Sequence, residues 1–435
     1  MRPLEALLVA ALILVLGMRW MRPRNRQVTS TMLAMIGILL VLHLVFDGWR
    51  WEMIGSYGMA IGAAMILSRD LRRVSGARAG ESSRWAALPS TGQRATWGVL
   101  LALVALFAVV IPAWAFPRIV LPEPDGLYDV GRLEASWPDT AGGGRAVDVT
   151  VWYPAEQPNG RVLRYHPRPG ALGSALAEGT PLPGFAFRNL SAARTHSTGN
   201  PRFSIREGRS PIVLVAHHDG GSRYDGTALY ERLASQGYVI ASIGSDGTAP
   251  SAAPSDRIND IATVLTKLVG LPVGGPIDTL NTHVRIDRVA VIGWGSGAAA
   301  AMELGATDPR VNAVVAIGPG QLSEVVQAGV RRPMLVFTVR DATPGLDDAL
   351  RYGGTEARLE GATDATLSDR ALLGKPVAGL LGIESADAPG DVHAAVSALT
   401  LRFLDQYLKE RREQTQVDLP ARVRVTIIPH QPRAG

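Results

Sequence analysis

The chain has 435 residues, more than one ordinary domain holds, and its apolar residues are concentrated before residue 117. Much of the excess basic charge behind the net charge of +5 lies in the first hundred residues. There the arginines flank apolar runs, which argues against a nucleic-acid-binding surface. The chain has no cysteine, so disulfides and thiolate metal sites are excluded.

Four apolar runs with charge-free cores precede residue 117, over about residues 4–18, 31–46, 53–68 and 96–116. A bilayer core of about 30 Å requires about 20 helical residues, so these runs predict four membrane-spanning helices in a region 1–117. A cleaved signal peptide is the competing interpretation of residues 1–20. It fits less well, because most of the positive charge follows the apolar stretch instead of preceding it.

The arginines predict an orientation. The loops 19–26 and 69–94 are rich in arginine, whereas the loop 47–52 is close to neutral. The positive-inside rule therefore predicts a multi-pass protein of the bacterial cytoplasmic membrane, with the large domain on the periplasmic or extracellular side. His43 lies within the second predicted span, where we expect a hydrogen-bonded packing role in preference to a functional one.

After Leu121, short β-branched runs alternate with helical stretches, which predicts an α/β domain over residues 118–409 with a mostly parallel, doubly wound sheet. Residues 156–210 interrupt this alternation and are predicted to be an insertion over one edge or over the site. Residues 410–435 are treated as a C-terminal tail. The predicted strands are Ala146–Tyr153, Pro211–Ala216, Tyr238–Ile243, Arg288–Gly293, Val311–Ile317 and Pro333–Val339, with a strand-like run at Arg422–Ile428.

The segment from Arg288 to the alanines after Gly297 is typical of a strand, a tight turn and a helix, the context of an α/β-hydrolase nucleophile elbow. With Gly293 and Gly297 as the small flanking residues, the nucleophile position is Gly295, which has no side chain. Ser296 is the alternative nucleophile, although Trp294 would then occupy a position that requires a small residue. A glycine-rich anion-binding loop at a helix N-terminus is a third alternative.

The order of these elements resembles the bacterial relatives of platelet-activating factor acetylhydrolase of the plasma, α/β-hydrolase type. Some members of that family also carry a hydrophobic N-terminus that begins much like Met1–Glu5. The resemblance covers most of the chain. It rests on Gly126–Gly131, Val149–Pro154, Pro211–Ser222, Leu233–Val239 and Val289–Gly297.

The resemblance implies a Ser–His–Asp triad, and the chain departs from it at every member. Gly295 stands in place of the serine, Gly318 in place of the aspartate, and Asp364 in place of the histidine. The oxyanion loop reads His217, His218, Asp219, which sets a carboxylate where negative charge would develop. The chain is therefore expected to be a catalytically degenerate member, and ordinary esterase activity is not expected.

Two alternatives use the remaining polar residues. One is a rearranged triad of Ser296 with His217 or His393, and the other is a cation held by the His217–Asp219 segment together with Asp364. The favoured interpretation is a hydrogen-bonded remnant of a pocket. Neither a metal nor a cofactor is expected.

Two functions follow from these observations. The favoured hypothesis is a membrane-anchored, non-catalytic pseudohydrolase that acts as an interaction, assembly or accessory subunit, with the lipid bilayer and other membrane protein subunits as partners. The alternative is an active carboxylic-ester or acyl-lipid hydrolase that uses displaced residues. A weaker third hypothesis is a receptor whose pocket holds a small acyl ligand.

Overall fold

The computed structural model describes most of the chain after residue 118 and part of the chain before it. The chain divides into two compact units, Met1–Arg118 and Ile119–Gly435. The described residues are 7–15, 26–46, 53–76, 119–138, 145–156, 160–178, 183–204, 208–248, 254–270, 282–339, 343–362, 364–373, 389–410 and 419–433, with the single residues 180, 206, 280, 377 and 379.

The first unit contains a helical stretch at residues 7–15 and two longer helices, α1 (Arg26–Phe46) and α2 (Ile54–Gly76). Buried side chains from all three stretches, among them Leu8, Ile36 and Ala60, form one apolar cluster. His43 is fully buried, and its Nε2 lies 2.8 Å from the Tyr57 hydroxyl, a hydrogen bond between α1 and α2. His43 thus has the hydrogen-bonded packing role expected of it.

Of the four predicted spans, only the second corresponds to a helix long and apolar enough to cross a membrane, within the part of the chain that the structure describes. This helix covers Gln27–Phe46, with a mean hydropathy of 2.2. The first span is described over residues 7–15 alone, and the fourth, 96–116, lies outside the described residues. α2 is helical, but small residues dilute its apolar part and it ends in a charged run after Ser68. One apolar helix near the N-terminus fits a membrane anchor and a signal sequence equally.

Over its described residues, the second unit is built on an 11-stranded sheet with the strand order β11-β10-β9-β8-β7-β5-β6-β2-β1-β4-β3. Neighbours within the run from β6 to β10 pair in parallel, whereas β2 and β11 join the two sides of this run in antiparallel orientation. The strands are β1 (Asp129–Pro138), β2 (Ala146–Ala155), β3 (Val162–Arg164), β4 (Arg194–Gly199), β5 (Ser210–Ala216), β6 (Val239–Ile243), β7 (Val284–Trp294), β8 (Ala313–Ile317), β9 (Met334–Thr338), β10 (Gly354–Leu359) and β11 (Val425–His430).

Helices cover both faces of this sheet, as a buried parallel sheet requires. Ile261 of α6 and Ala301 of α7 belong to the apolar cluster that includes Leu214 of β5. Val213 and Val215 of β5 point to the opposite face from Leu214, and they are buried too but lie outside that cluster. α5 and α10 contact the sheet, and their buried residues, such as Leu404, also lie outside the cluster, which places these two helices on that opposite face. The helices are α3 (Pro169–Ala177), α4 (Arg188–Ser191), α5 (Thr227–Ser235), α6 (Pro254–Val269), α7 (Ser296–Thr307), α8 (Glu324–Gln327), α9 (Leu346–Ala349) and α10 (Pro389–Leu408), with 3-10 turns at Gly184–Phe187, Asp364–Leu367 and Asp369–Leu372.

The prediction of a mostly parallel, doubly wound α/β sheet is confirmed, and all six predicted strands are present with shifted ends. The predicted insertion 156–210 contains β3 and β4, and β4 pairs in parallel with β1, so this segment extends the sheet edge. The treatment of residues 410–435 as a separate tail was wrong, because β11 pairs with β10 over six residues. The strand-like run predicted there begins at Arg422, three residues before β11 begins at Val425.

Candidate functional site

Strand β7 passes into α7 through a single residue, Gly295, with φ 54° and ψ −119°. A positive φ of this kind favours glycine. The flanking glycines allow the backbones to approach closely: a Cβ on Gly293 would lie 2.1 Å from the carbonyl oxygen of Gly297, and one on Gly297 would lie 2.4 Å from that of Ala216. The strand, turn and helix therefore have the geometry of a nucleophile elbow, with Gly295 at its tip.

His218 lies beside the elbow tip. A Cβ built on Gly295 would be 3.1 Å from the Cβ of His218, in open space apart from that one contact. The backbone N–H of Gly295 donates to the carbonyl oxygen of Ile317 at 2.9 Å, which fixes the tip against the end of β8. The position from which an elbow nucleophile projects thus carries no reactive group.

Ser296, the alternative nucleophile, is half-buried at the first residue of α7. Its Oγ accepts a hydrogen bond from the backbone N–H of Asp219 at 3.0 Å. An oxyanion hole would combine the N–H of the residue after the elbow tip with an N–H of the loop that follows β5. Here that loop N–H is already bonded to a side chain, and the Ser296 hydroxyl is bonded to Asp219 instead of to an imidazole.

Asp219 forms an ion pair with Arg257 of α6. Partial burial opposes ionisation, but the Arg257 guanidinium and the Ser296 hydroxyl together hold the pKa of Asp219 below its usual value. The carboxylate is therefore ionised at neutral pH. The predicted carboxylate of the oxyanion loop is thus ionised, and its charge is paired with Arg257.

The two histidines of the loop have different surroundings. His217 is buried, and burial lowers its pKa to about 4, so that its ring is neutral at neutral pH. Its Nδ1 lies 2.9 Å from the carbonyl oxygen of His218, and its Nε2 faces Gly244. The His218 side chain is one-third exposed (33%), and its Nδ1 lies 2.7 Å from the carbonyl oxygen of Asp219.

A second ion pair lies beyond His218. The Nε2 of His218 is 3.8 Å from an oxygen of Asp225, and Arg370 contacts the same carboxylate at 2.8 Å. The backbone N–H of Ser222 also donates to it at 3.0 Å, and Arg370 donates to the carbonyl oxygen of Gly220 at 3.1 Å. Asp225 is therefore a structural anchor of the loop, because its charge and lone pairs are matched by these groups.

The remaining triad positions follow other strands of the parallel sheet. Gly318, at the end of β8, has φ 58° and no side chain that could orient a base. Asp364 begins the 3-10 turn after β10, and its side chain lies outside the described residues. Asp341 also follows a parallel strand, β9, in the sequence, and lies outside the described residues as well. Of the three departures from the triad, Gly295 at the elbow tip is consequently the strongest evidence against catalysis.

The structure brings together the residues from the loop after β5 and the elbow, namely His218, Asp219, Gly295 and Ser296. His393 is not part of this group, because its Nε2 bonds to buried Asp369 at 3.1 Å. Three further residues were missed from the sequence: Arg257, Asp225 and Arg370. A signal existed for Arg257, because it lies in the first turns of the helix that follows β6, and such helices begin at the edge where the site forms.

The elbow and the loop after β5 offer hydrogen bonding and charge, but among their described residues no hydroxyl is bonded to an imidazole. Ester hydrolysis by the triad mechanism requires that pair. The described chain does contain one Ser–His–Asp contact, in which the Ser397 hydroxyl lies 3.5 Å from His393 Nδ1, but it is buried on α10. No group of three or more His, Asp or Glu side chains in the described ranges is placed to hold a metal ion.

Two comparisons connect the chain with hydrolases. A family model described as PETase, PET hydrolase-like, matches residues 226–345, a segment that includes the elbow. A solved structure titled ferulic acid esterase, from Streptomyces cinnamoneus, superposes with a TM-score of 0.55 at 21% identity, over 70% of this chain and 98% of that chain. No curated protein matches the chain in sequence. Together with the sheet order and the elbow, these similarities show that the second unit has the α/β-hydrolase fold.

Proposed function

We propose that the second unit is a pseudohydrolase, a domain that retains the esterase-type scaffold but serves as a non-catalytic interaction or accessory module. One observation carries the proposal: the elbow tip is Gly295, held at φ 54°, so the fold presents no nucleophile where it normally does. Ser296 does not replace it, because its hydroxyl is bonded to Asp219.

The first unit supports a membrane location for this module. Only 22% of the apolar stretch of the Gln27–Phe46 helix is buried. Side chains such as Val45 (70% exposed) and Phe46 (72% exposed) project outward. Lipid or other membrane helices would cover such a surface. We therefore propose a multi-pass anchor in the bacterial cytoplasmic membrane, with the second unit on the periplasmic or extracellular side and with membrane protein subunits as partners.

An active hydrolase is the second candidate function, and the comparisons favour it over a non-catalytic role, since the matching model and structure are both named for hydrolases. It would be a carboxylic-ester or acyl-lipid hydrolase whose nucleophile is Ser296. That chemistry requires the Ser296 hydroxyl to leave Asp219 and meet a base, for which His218 is the candidate because it lies beside Gly295.

A fluorophosphonate probe separates the two functions, because it labels only activated serines. On the full chain in phosphatidylcholine nanodiscs, we expect no labelling above that of the Ser296→Ala variant, and no turnover of p-nitrophenyl esters. Ser174→Ala, at an exposed serine of α3, is the matched control. Labelling that is lost in Ser296→Ala and kept in Ser174→Ala would establish the hydrolase and exclude the pseudohydrolase.

A further inference from the structure

A cavity of about 700 Å³ opens between β1, β3 and the end of β4, and the elbow loops do not line it. This volume is within the range of sites that bind small molecules. None of the elbow residues lines it within the described part of the chain; its walls come from β1 and from the segment that extends the sheet edge.

The cavity wall is positively charged. Arg132, Arg161 and Arg164 line it, against a single carboxylate, Glu134, which accepts a hydrogen bond from the Tyr224 hydroxyl at 2.7 Å. Arg161 and Arg164 are exposed, and neither side chain forms a hydrogen bond or an ion pair within the described residues. Within the described part of the chain, two guanidinium groups at the cavity are therefore available to a ligand.

Arg132, the third arginine at the cavity, is buried, unlike Arg161 and Arg164. It is 5% exposed, and its Nη1 donates to the carbonyl oxygens of Arg164 at 3.0 Å and Tyr165 at 3.4 Å. Its Nε is buried without a hydrogen-bond partner in the described part of the chain. The Nε atom has no surface that a ligand could reach, so Arg132 contributes to the cavity through its positive charge, and its described hydrogen bonds go to neutral carbonyl oxygens only.

His166 also lines the cavity but adds no charge at neutral pH. Burial lowers its pKa, although its contact with the carbonyl oxygen of Asp246 opposes the shift. The charged groups that a ligand meets are thus the three arginines and Glu134.

Apolar side chains of the wall come from Val162, Leu163 and Pro167, whereas the Leu133 side chain packs in the core of the sheet. A bare inorganic anion would leave the apolar side chains of the wall without a partner. We propose that the cavity binds a small amphiphilic anion, a molecule with one carboxylate or phosphate group held by the arginines and an apolar body against Val162 and Leu163. The site shares no residue with the elbow and does not depend on the function proposed for it.

Calorimetric titration of the full chain in phosphatidylcholine nanodiscs tests the site, with empty nanodiscs as the blank. The probes are 4-phenylbutyrate and phenyl phosphate as amphiphilic anions, 4-phenylbutanamide as a neutral analogue, and inorganic phosphate as a bare anion. We expect at least one amphiphilic anion to bind about tenfold more tightly than the amide and than inorganic phosphate. Which anion binds more tightly distinguishes a carboxylate ligand from a phosphate ligand.

Variants then assign the binding to this cavity. The exposed pair Arg161→Gln with Arg164→Gln should weaken the tighter anion about fivefold or more, and the thermal unfolding temperature should stay unchanged. Arg188→Gln, at an exposed arginine of the same segment that does not line the cavity, should bind as the parent does. Equal affinity for anion and amide, equal affinity for inorganic phosphate, no binding of either anion at millimolar concentration, or an equal loss in Arg188→Gln would each overturn the proposal.

Discussion

The backbone N–H of Asp219 donates to the Oγ of Ser296 at 3.0 Å, across 77 positions of sequence. The bond joins the loop after β5 to the first residue of α7. These are the two segments that supply the oxyanion hole in an active α/β-hydrolase, and here they are bonded to each other. The Asp219 N–H and the Ser296 hydroxyl therefore serve to hold the two segments together.

Removal of this bond should affect stability and not turnover. In Ser296→Ala the Asp219 N–H loses its partner, but the site is partly exposed, so water can replace the hydroxyl. We expect the free energy of unfolding to fall by about 1 kcal/mol, with ester turnover no different from that of the parent. Urea titration of both proteins measures the change. A fall in ester turnover in the variant would contradict the assignment of Ser296 as structural.

A serine introduced at the elbow tip should destabilise the folded protein. Gly295→Ser places a side chain at positive φ with its Cβ 3.1 Å from His218, and we expect a loss of about 1–3 kcal/mol in the free energy of unfolding. Esterase activity should not return, because no base is bonded at the tip. Gly320→Ser is the matched control, since a Cβ on Gly320 has nothing within 4 Å.

The triple variant with Gly318→Asp and Asp364→His added to Gly295→Ser tests the alignment with the acetylhydrolase family. If the three positions do correspond to the triad, a low rate of p-nitrophenyl acetate hydrolysis should appear in the triple variant and in none of the single variants. No activity in a folded triple variant would leave the alignment of Gly318 and Asp364 without support.

The strands that the sequence predicted are those with buried β-branched runs, such as the fully buried Ser210–Ala216 and Ala313–Ile317. Among the strands that it missed, β4 is polar. β4 buries Thr195, Ser197 and Thr198 and contains no apolar residue. Hydrophobic periodicity therefore cannot reveal such a strand.

The elbow was predictable because it is local: Gly293, Gly295, Ser296 and Gly297 lie within five residues of sequence. The ion pairs around it were not, because Arg257 reaches Asp219 across 38 positions and Arg370 comes from beyond β10. Such contacts depend on the order of strands in the sheet, which the periodicity of a single chain does not give.

The pairing of β11 with β10 predicts that the C-terminal segment protects the sheet edge. A chain that lacks residues 419–435 leaves β10 as an exposed edge strand, paired on one side to β9 only. We expect amide hydrogens of Gly354–Leu359 to exchange much faster in that chain, and the free energy of unfolding to fall by about 2 kcal/mol. Exchange in β8, inside the sheet, is the internal control, and equal acceleration there would indicate global loosening instead.

The buried His217 predicts a loss of stability in mild acid. Burial lowers its pKa from 6.5 to about 4. Above pH 6.5 the ring is neutral in the folded and the unfolded chain, so its contribution to stability is complete. Between pH 6.5 and pH 4 the unfolded chain takes up a proton that the folded chain does not, so stability falls, by about 3 kcal/mol over the whole window.

Urea unfolding from pH 7.5 to pH 4.5 should show this slope in the parent and in His218→Gln, whose ring is one-third exposed, and a much smaller slope in His217→Gln. Parallel pH curves for the parent and His217→Gln would show that another group controls the acid response.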